Sequence, residues 1–508
     1  MKTADAKKSY QNLKGMGLTG AHLRSIVYLL DLDQETCMPS AGIGYRADLR
    51  KLVSELRHKQ MTSKKLKSAL ESLCSLDGEG KYAEQLTDEQ KASVREFRRD
   101  YLRDNKLTAS FIRKMSDATT HALDAWKIAK QNNHFRTFAP HLKEIVKLSQ
   151  KKAELIGYKE HPYDALLDEY EPGTTVSFID KVFSELREKL IFIVNKRKTM
   201  KSNQIDTSFF TKSHFPLSHQ KELCTQIVKQ MGLPQENFNL SETAHPFCSA
   251  LCPQDIRLTT HYDMSDFRKA YFAAIHEAGH GLYEHNLPME HLGTPLAEAA
   301  SHAIHESQSR FWECFIGHSP AFWRNQYPKV KELFPGAFDS ISLDHFVQSI
   351  NTVNPSLIRI HSDEVTYGLH VILRYEIEKG LIDGSIQVKD IPKLWNTMMK
   401  EMVGVAPPSD KEGCLQDIHW SLGAIGYFPS YALGNLYAGA LFVHMIKTHT
   451  NWEQKAASGD FIFIKDYLKD KIHRHGRRYT PIELIEKATA KKFSSADYIS
   501  YLETKYVS

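Results

Sequence analysis

The sequence predicts a mainly α-helical chain that carries at most a small β-sheet. Two observations predict this. Apolar residues return every three or four positions through long polar stretches, as from Arg46 to Gln60 and from His141 to Gly157, a spacing that gathers them on one helix face. Alternating β-branched runs are scarce, and the stretch Leu251 to Asp263, with Pro253 at its entry, is the best strand candidate.

In chain order, the first hundred or so residues read as helices, and about 1–110 are expected to form a semi-independent helical lid. Loop signals stand at Glu171-Pro172-Gly173, at Val405-Ala406-Pro407-Pro408-Ser409 and at His475-Gly476. None extends into the long Pro, Gly and Ser tract that separates independent domains. A single domain over 1–508 is therefore expected. Asp263-Met264-Ser265-Asp266 offers capping oxygens before Phe267, Tyr271, Ala274, Ile275, Ala278 and Leu282, which is helical periodicity over four turns. A second helix is expected from about Thr294 to Ile316. The run His419 to Tyr431, rich in glycine, reads as an irregular loop that could close over a bound molecule.

Bulk properties narrow the function. With 508 residues, 42% of them hydrophobic, the chain can bury a large core. Charged residues make up 25% and nearly cancel, leaving +5, so no field of one sign demands nucleic acid or a membrane as partner. Seven cysteines, Cys37, Cys74, Cys224, Cys248, Cys252, Cys314 and Cys414, lack the paired spacing of a structural zinc site. They read as reduced thiols of a cytoplasmic protein, and neither a secretion signal nor a membrane span is expected.

The chemistry concentrates at His276-Glu277-Ala278-Gly279-His280. At about 100° per residue, His276 and His280 leave the helix on one side, roughly opposite the apolar stripe. Two imidazoles one turn apart can converge on one Zn²⁺, and Glu277 projects beside the ion rather than onto it. Glu277 is then placed to take the proton of an attacking water. A third ligand must come from another segment, because Glu284 on the same helix stands about 12 Å from His276 along the axis. The second helix offers Glu298, Glu306 and Glu313, and spacing does not choose among them.

Together with His305-Glu306-Ser307, these residues resemble the carboxypeptidase Taq family of zinc metallocarboxypeptidases, in which HExxH is followed by a separate HES motif. The similarity extends through His245-Pro246-Phe247, Asp255 to Thr259, Ile358 to Glu364 and Gly413 to Trp420, in the family's order. It also reaches Asp33 to Thr36, Met38-Pro39, Tyr163 to Leu167 and Pro481 to Leu484. Departures are small: Leu32 stands where the family commonly has Trp, and Ser362 and Val365 replace Ala and Leu. The resemblance implies an elongated helical molecule with a deep substrate channel, usually a homodimer, that releases single C-terminal amino acids from peptides. It selects Glu306 as the third ligand and implies one Zn²⁺ per chain, with Co²⁺ or Mn²⁺ as alternatives.

Further roles follow from this. The oxyanion of peptide hydrolysis needs donors, and His419, Tyr427 and Tyr431 are the candidates. A substrate's terminal carboxylate calls for a guanidinium. Arg359 is preferred over Arg257, which could pair with Asp255 two residues away, while the alternative for Arg359 is an ion pair with Asp363. His245 is expected to line the channel, and Asp363 or Glu364 to accept a hydrogen bond from a ligating histidine. An endopeptidase or dipeptidyl carboxypeptidase with the same metal site, or a peptide-binding protein without activity, are the rival readings.

Overall fold

A computed structural model describes residues 3–78, 81–201 and 204–507. It begins with a helical hairpin, α1 (Thr3–Thr36) and α2 (Ile43–Met61), followed after a shorter helix by α3 (Asp88–Lys106). Thr87 opens α3 with a reciprocal capping box to Gln90. These elements share a core of their own, in which Tyr10, Leu13, Leu66, Leu70, Val94 and Phe97 pack together. A second and larger core runs from Ala122 to Tyr506. The helix expected around His141 to Gly157 spans Phe135–Ile156 and ends at Gly157, whose φ of 81° suits glycine.

One sheet of three strands is present among the described residues: β1 (Phe238–Glu242), β2 (Cys248–Cys252) and β3 (Asp255–Thr260), in the order β1-β3-β2. The central β3 pairs parallel with β1 and antiparallel with β2. Only β3 was legible as a strand, because β1 and β2 are five residues long with no alternation of buried and exposed positions.

Helix α4 (Phe267–His285) carries the HExxH motif and starts at Asp266, whose carboxylate accepts from the Arg268 amide. Its apolar stripe lies in the larger core and His276 and His280 leave from the other side, partly exposed, as the periodicity suggests, but that side is partly covered too. Gly281 lies on Ile256 and Leu258 of β3, and Gly279 lies on the backbone of Gln308 and Ser309. The second helix departs from expectation. Pro295–Ala297 form a 3₁₀ turn, Glu298 is extended, and α5 (His302–Arg310) starts only after Ser301, whose hydroxyl accepts from the Ile304 amide. The chain then widens into a π-helical stretch, Phe311–Ile316.

Helix α6 (Thr366–Asp383) is buried on nearly all sides. The run from His419 is less irregular than its glycines suggest: a 3₁₀ turn covers His419–Leu422, and α7 (Pro429–Thr448) already contains Tyr431. Pro429 at the first helical position fixes that start. Among the described residues no helix is long and apolar enough to cross a membrane.

The contact at Gly279 sets the spacing of α4 and α5. A Cβ there would stand 2.6 Å from Ser309 Cα and 2.7 Å from Gln308 O, backbone atoms that cannot rotate away. Gly279→Ala is expected to lower the stability by about 1–3 kcal/mol, measured by chemical denaturation. Unchanged stability would show that the two helices are not in fixed register.

Candidate active site

His276 and His280 lie one turn apart on α4, and Glu306 reaches toward them from α5. Glu306 Oε2 stands 3.7 Å from His276 Nε2 and 3.4 Å from His280 Nε2, and ligand atoms of the three residues all fall within 4.8 Å of one another. Two ligands about 2.1 Å from one tetrahedral ion lie about 3.4 Å apart, so this donor set fits a single metal ion. The side chain of Glu306 is pinned from behind by Gly434 of α7, where a Cβ would come within 2.7 Å of its Cγ.

Each of the two histidines has a partner of its own. His276 Nδ1 is 2.8 Å from Glu313 Oε2, which also accepts from Arg310 Nη1 at 2.9 Å. Glu313 therefore stands behind His276, at the ring nitrogen turned away from Glu306. His280 Nδ1 meets His305 Nδ1, and His305 Nε2 lies 2.9 Å from Glu284 Oε1. Glu298 lines the same cleft but pairs with Arg24 of α1 and with Arg477.

Burial works on all these groups. It would raise Glu306, yet His276, His280 and Arg310 hold it down at about 2. His280 is pulled down to about 3, by burial and the nearby His305, which leaves it neutral. Burial also acts to lower His276, but Glu306, Glu313 and Glu277 raise it to about 9. Glu277 is pushed up to about 7 by burial and the neighbouring carboxylates, against the pull of His276, near the value that suits a base at neutral pH.

These residues open onto a cleft of about 1310 Å³, lined by Arg24 and Tyr28 of α1, Arg57 of α2, and Pro246 to Gln254 around β2. Tyr427 and Tyr431 line the same cleft, and His419 Nε2 is 3.2 Å from the Tyr431 hydroxyl. Burial lowers His419 to about 4 and raises Tyr427 to about 12. The segment that carries them is moored by Glu378 of α6. Its carboxylate accepts from Tyr163 Oη at 2.6 Å, Trp420 Nε1 at 2.8 Å and the Gly426 amide at 3.0 Å.

The remaining sequence candidates fall outside the cleft lining. Arg359 is buried behind Tyr431, 4.8 Å from its ring centre. Its partners are Asp417, through Nε and Nη2, and the Tyr367 hydroxyl, not Asp363. Arg257 pairs with Asp255 two residues away on β3. His245 is exposed, because Thr243 donates to its carbonyl and closes a turn that gives the cleft to Pro246 and Phe247 instead. Asp363 accepts from the amides of Val365 and Thr366 at the start of α6, and Glu364 from Lys505 and Tyr506. The groups that stand behind His276 and His280 are thus Glu313 and His305. His305 had one available signal, its place directly before Glu306; Arg310 and Glu378 had none.

The sequence profile of the carboxypeptidase Taq (M32) metallopeptidases matches residues 12–506. Carboxypeptidase 1 of Bacillus subtilis is 39% identical over 487 residues, covering 96% of this chain and 95% of that protein. Thermostable carboxypeptidase 1 of Thermus thermophilus is 36% identical over 508 residues, with 98% of each covered. The solved structure of a Pyrococcus furiosus carboxypeptidase superposes with a TM-score of 0.93 at 33% identity, covering 98% of this chain and 99% of that one. With the profile and relatives above 30% identity matching nearly all of it, this chain belongs to the carboxypeptidase Taq (M32) family and is a metallocarboxypeptidase.

Proposed function

We propose that His276, His280 and Glu306 hold one Zn²⁺ per chain and that Glu277 is the general base of peptide hydrolysis. The convergence of His276 Nε2, His280 Nε2 and Glu306 Oε2 carries this reading. Two imidazoles and a carboxylate suit zinc, and Co²⁺ or Mn²⁺ fit the same donors. When bound, such an ion polarises a carbonyl and acidifies water.

Glu277 then takes the proton of the attacking water as the new C–O bond forms, and passes it to the amine as the C–N bond breaks. Tyr427 and Tyr431 keep their O–H groups at neutral pH, because burial raises both phenols. They can donate to the oxyanion from the cleft wall, with His419 orienting Tyr431. Arg359 is proposed to meet the terminal carboxylate of the substrate. Three of its N–H bonds are committed to Asp417 and Tyr367, which leaves two of the five free. Arg359 packs on Tyr431 of the cleft wall, whereas Arg257 and His245 have weaker support, Arg257 being taken up by Asp255 and His245 being exposed at the Thr243 turn. A cytoplasmic location, supported by seven unpaired cysteines, a lid over about 1–110, supported by α1 and α2 forming one wall of the cleft, and the homodimer that the family resemblance implies belong to the same proposal.

Metal affinity is expected to fall in a set order, measured by chelator competition. Glu306→Gln sheds the ion, Glu313→Gln weakens it about 10–100-fold, and Glu298→Gln leaves it unchanged. Loss of the ion in Glu298→Gln would reverse the assignment.

Glu277→Gln is expected to keep the metal and to lose more than about 10²–10⁴-fold in rate. Near-parental hydrolysis by that variant would remove Glu277 as the base.

Amidating the substrate's C-terminus removes a charged hydrogen-bond partner, which costs about 1.5–3 kcal/mol. Free acids are therefore expected to turn over at least about tenfold better than amides, with single residues released. Arg359→Ala should erase most of that preference, read as kcat/KM, without shedding the metal. Equal rates on acid and amide by the parent enzyme would favour an endopeptidase.

A further inference from the structure

An imidazole that ligates through Nε2 must carry its one proton on Nδ1, and a neighbour has to accept it there. For His276 the neighbour is the Glu313 carboxylate, which can only accept. For His280 it is another imidazole. The rings of His280 and His305 have centroids 4.4 Å apart and planes tilted by 28°, with the two Nδ1 atoms in contact. Only one hydrogen fits between them, and its owner is not fixed by the pair itself.

We infer that Glu284 is a positioning residue for the metal: acting through His305, it places the proton of His280 on Nδ1 and leaves Nε2 free to ligate. The inference rests on the metal-site reading above. Glu284 Oε1 lies 2.9 Å from His305 Nε2, and a carboxylate there requires a hydrogen on that nitrogen. With its one hydrogen on Nε2, the His305 ring has a bare Nδ1, which accepts from His280 Nδ1–H. With the opposite tautomer, a His305 lone pair would face the carboxylate, and His280 would carry its hydrogen on the nitrogen that points at Glu306.

The geometry follows from α4. His276, His280 and Glu284 share one face at four-residue intervals, so Glu284 is too far along the axis to reach the ion. It is opposite His305, which α5 presents one residue before Glu306. One helix thus supplies two ligands and the group that sets the tautomer of the second.

The test uses the metal-free full-length chain and Zn²⁺. Glu284→Gln keeps the shape, but its amide can donate to His305 Nε2 as well as accept, so the tautomer is no longer forced. Zn²⁺ affinity, by chelator competition, is expected to fall about 10–100-fold. The Glu284→Gln/His305→Ala double variant should bind no more weakly than His305→Ala alone, because Glu284 acts only through His305. Nitrogen-15 imidazole spectra should show His280 with hydrogen on Nδ1 in the parent and a tautomer mixture in Glu284→Gln, a change that a purely structural role would not produce. Affinity within about twofold of the parent, or additive losses in the double variant, would overturn the relay. So would an Nε2–H tautomer in the parent spectrum, whatever the variants do. Glu306→Gln in the same assay separates the two ideas. If it sheds zinc while Glu284→Gln does not, the relay alone fails; if it keeps zinc, the metal site fails as well.

Discussion

The close approach of α4 and α5 at Gly279 is the constraint on which the site depends. Without a side chain there, the α4 backbone lies against Gln308 and Ser309, and the imidazoles of His276 and His280 reach the Glu306 carboxylate from the neighbouring helix. On its other side the same helix rests on β3 through Gly281. The small sheet thus acts as a back-plate, and α7 closes the arrangement by laying Gly434 over Glu306. Three elements converge on one carboxylate, so its position is determined by backbone packing rather than by side-chain choice.

Such a site is costly to bury. Ionised groups lose hydration, and each needs an opposite charge or a hydrogen bond in return. The structure supplies these in pairs: Arg310 sits between Glu313 and the Asn435 side chain, Ser309 donates to Glu306, and Asp417 is shared by Arg359 and Arg374. Glu277 is the exception. Among the described residues no cation is bonded to it, and burial with the nearby carboxylates outweighs the pull of His276 and raises it to about 7, a value at which it can exchange a proton.

The helical class, the α4 helix with its Asp266 cap and the pair of histidines were legible because each is a local pattern, set by spacing within about twenty residues. Glu306 was legible only through resemblance, since Glu298, Glu306 and Glu313 are alike in local sequence; what separates them is the register of α5 against α4. The break at Glu298 to Ser301 was hidden by apolar spacing that continues across it, while the Ser301 cap that ends it is a single hydroxyl. Arg359 and His245 illustrate a different limit. Their motifs are recognisable, but the direction of each side chain depends on distant or turn-specific partners, Asp417 for one and the Thr243 turn for the other. Glu284 stands eight residues along α4 from His276, and only the tertiary placement of His305, 2.9 Å from its carboxylate, reveals a partner for it.

The central claim is that one ion is held by Nε2 of both histidines and by Glu306. Anomalous X-ray diffraction at the zinc absorption edge, from crystals grown with Zn²⁺, tests it most directly. The account predicts one peak per chain, about 2.0–2.2 Å from His276 Nε2, His280 Nε2 and a Glu306 oxygen, with Glu313 and His305 beyond bonding distance. A peak bonded to Glu313, or to Nδ1 of either ligating histidine, would contradict it.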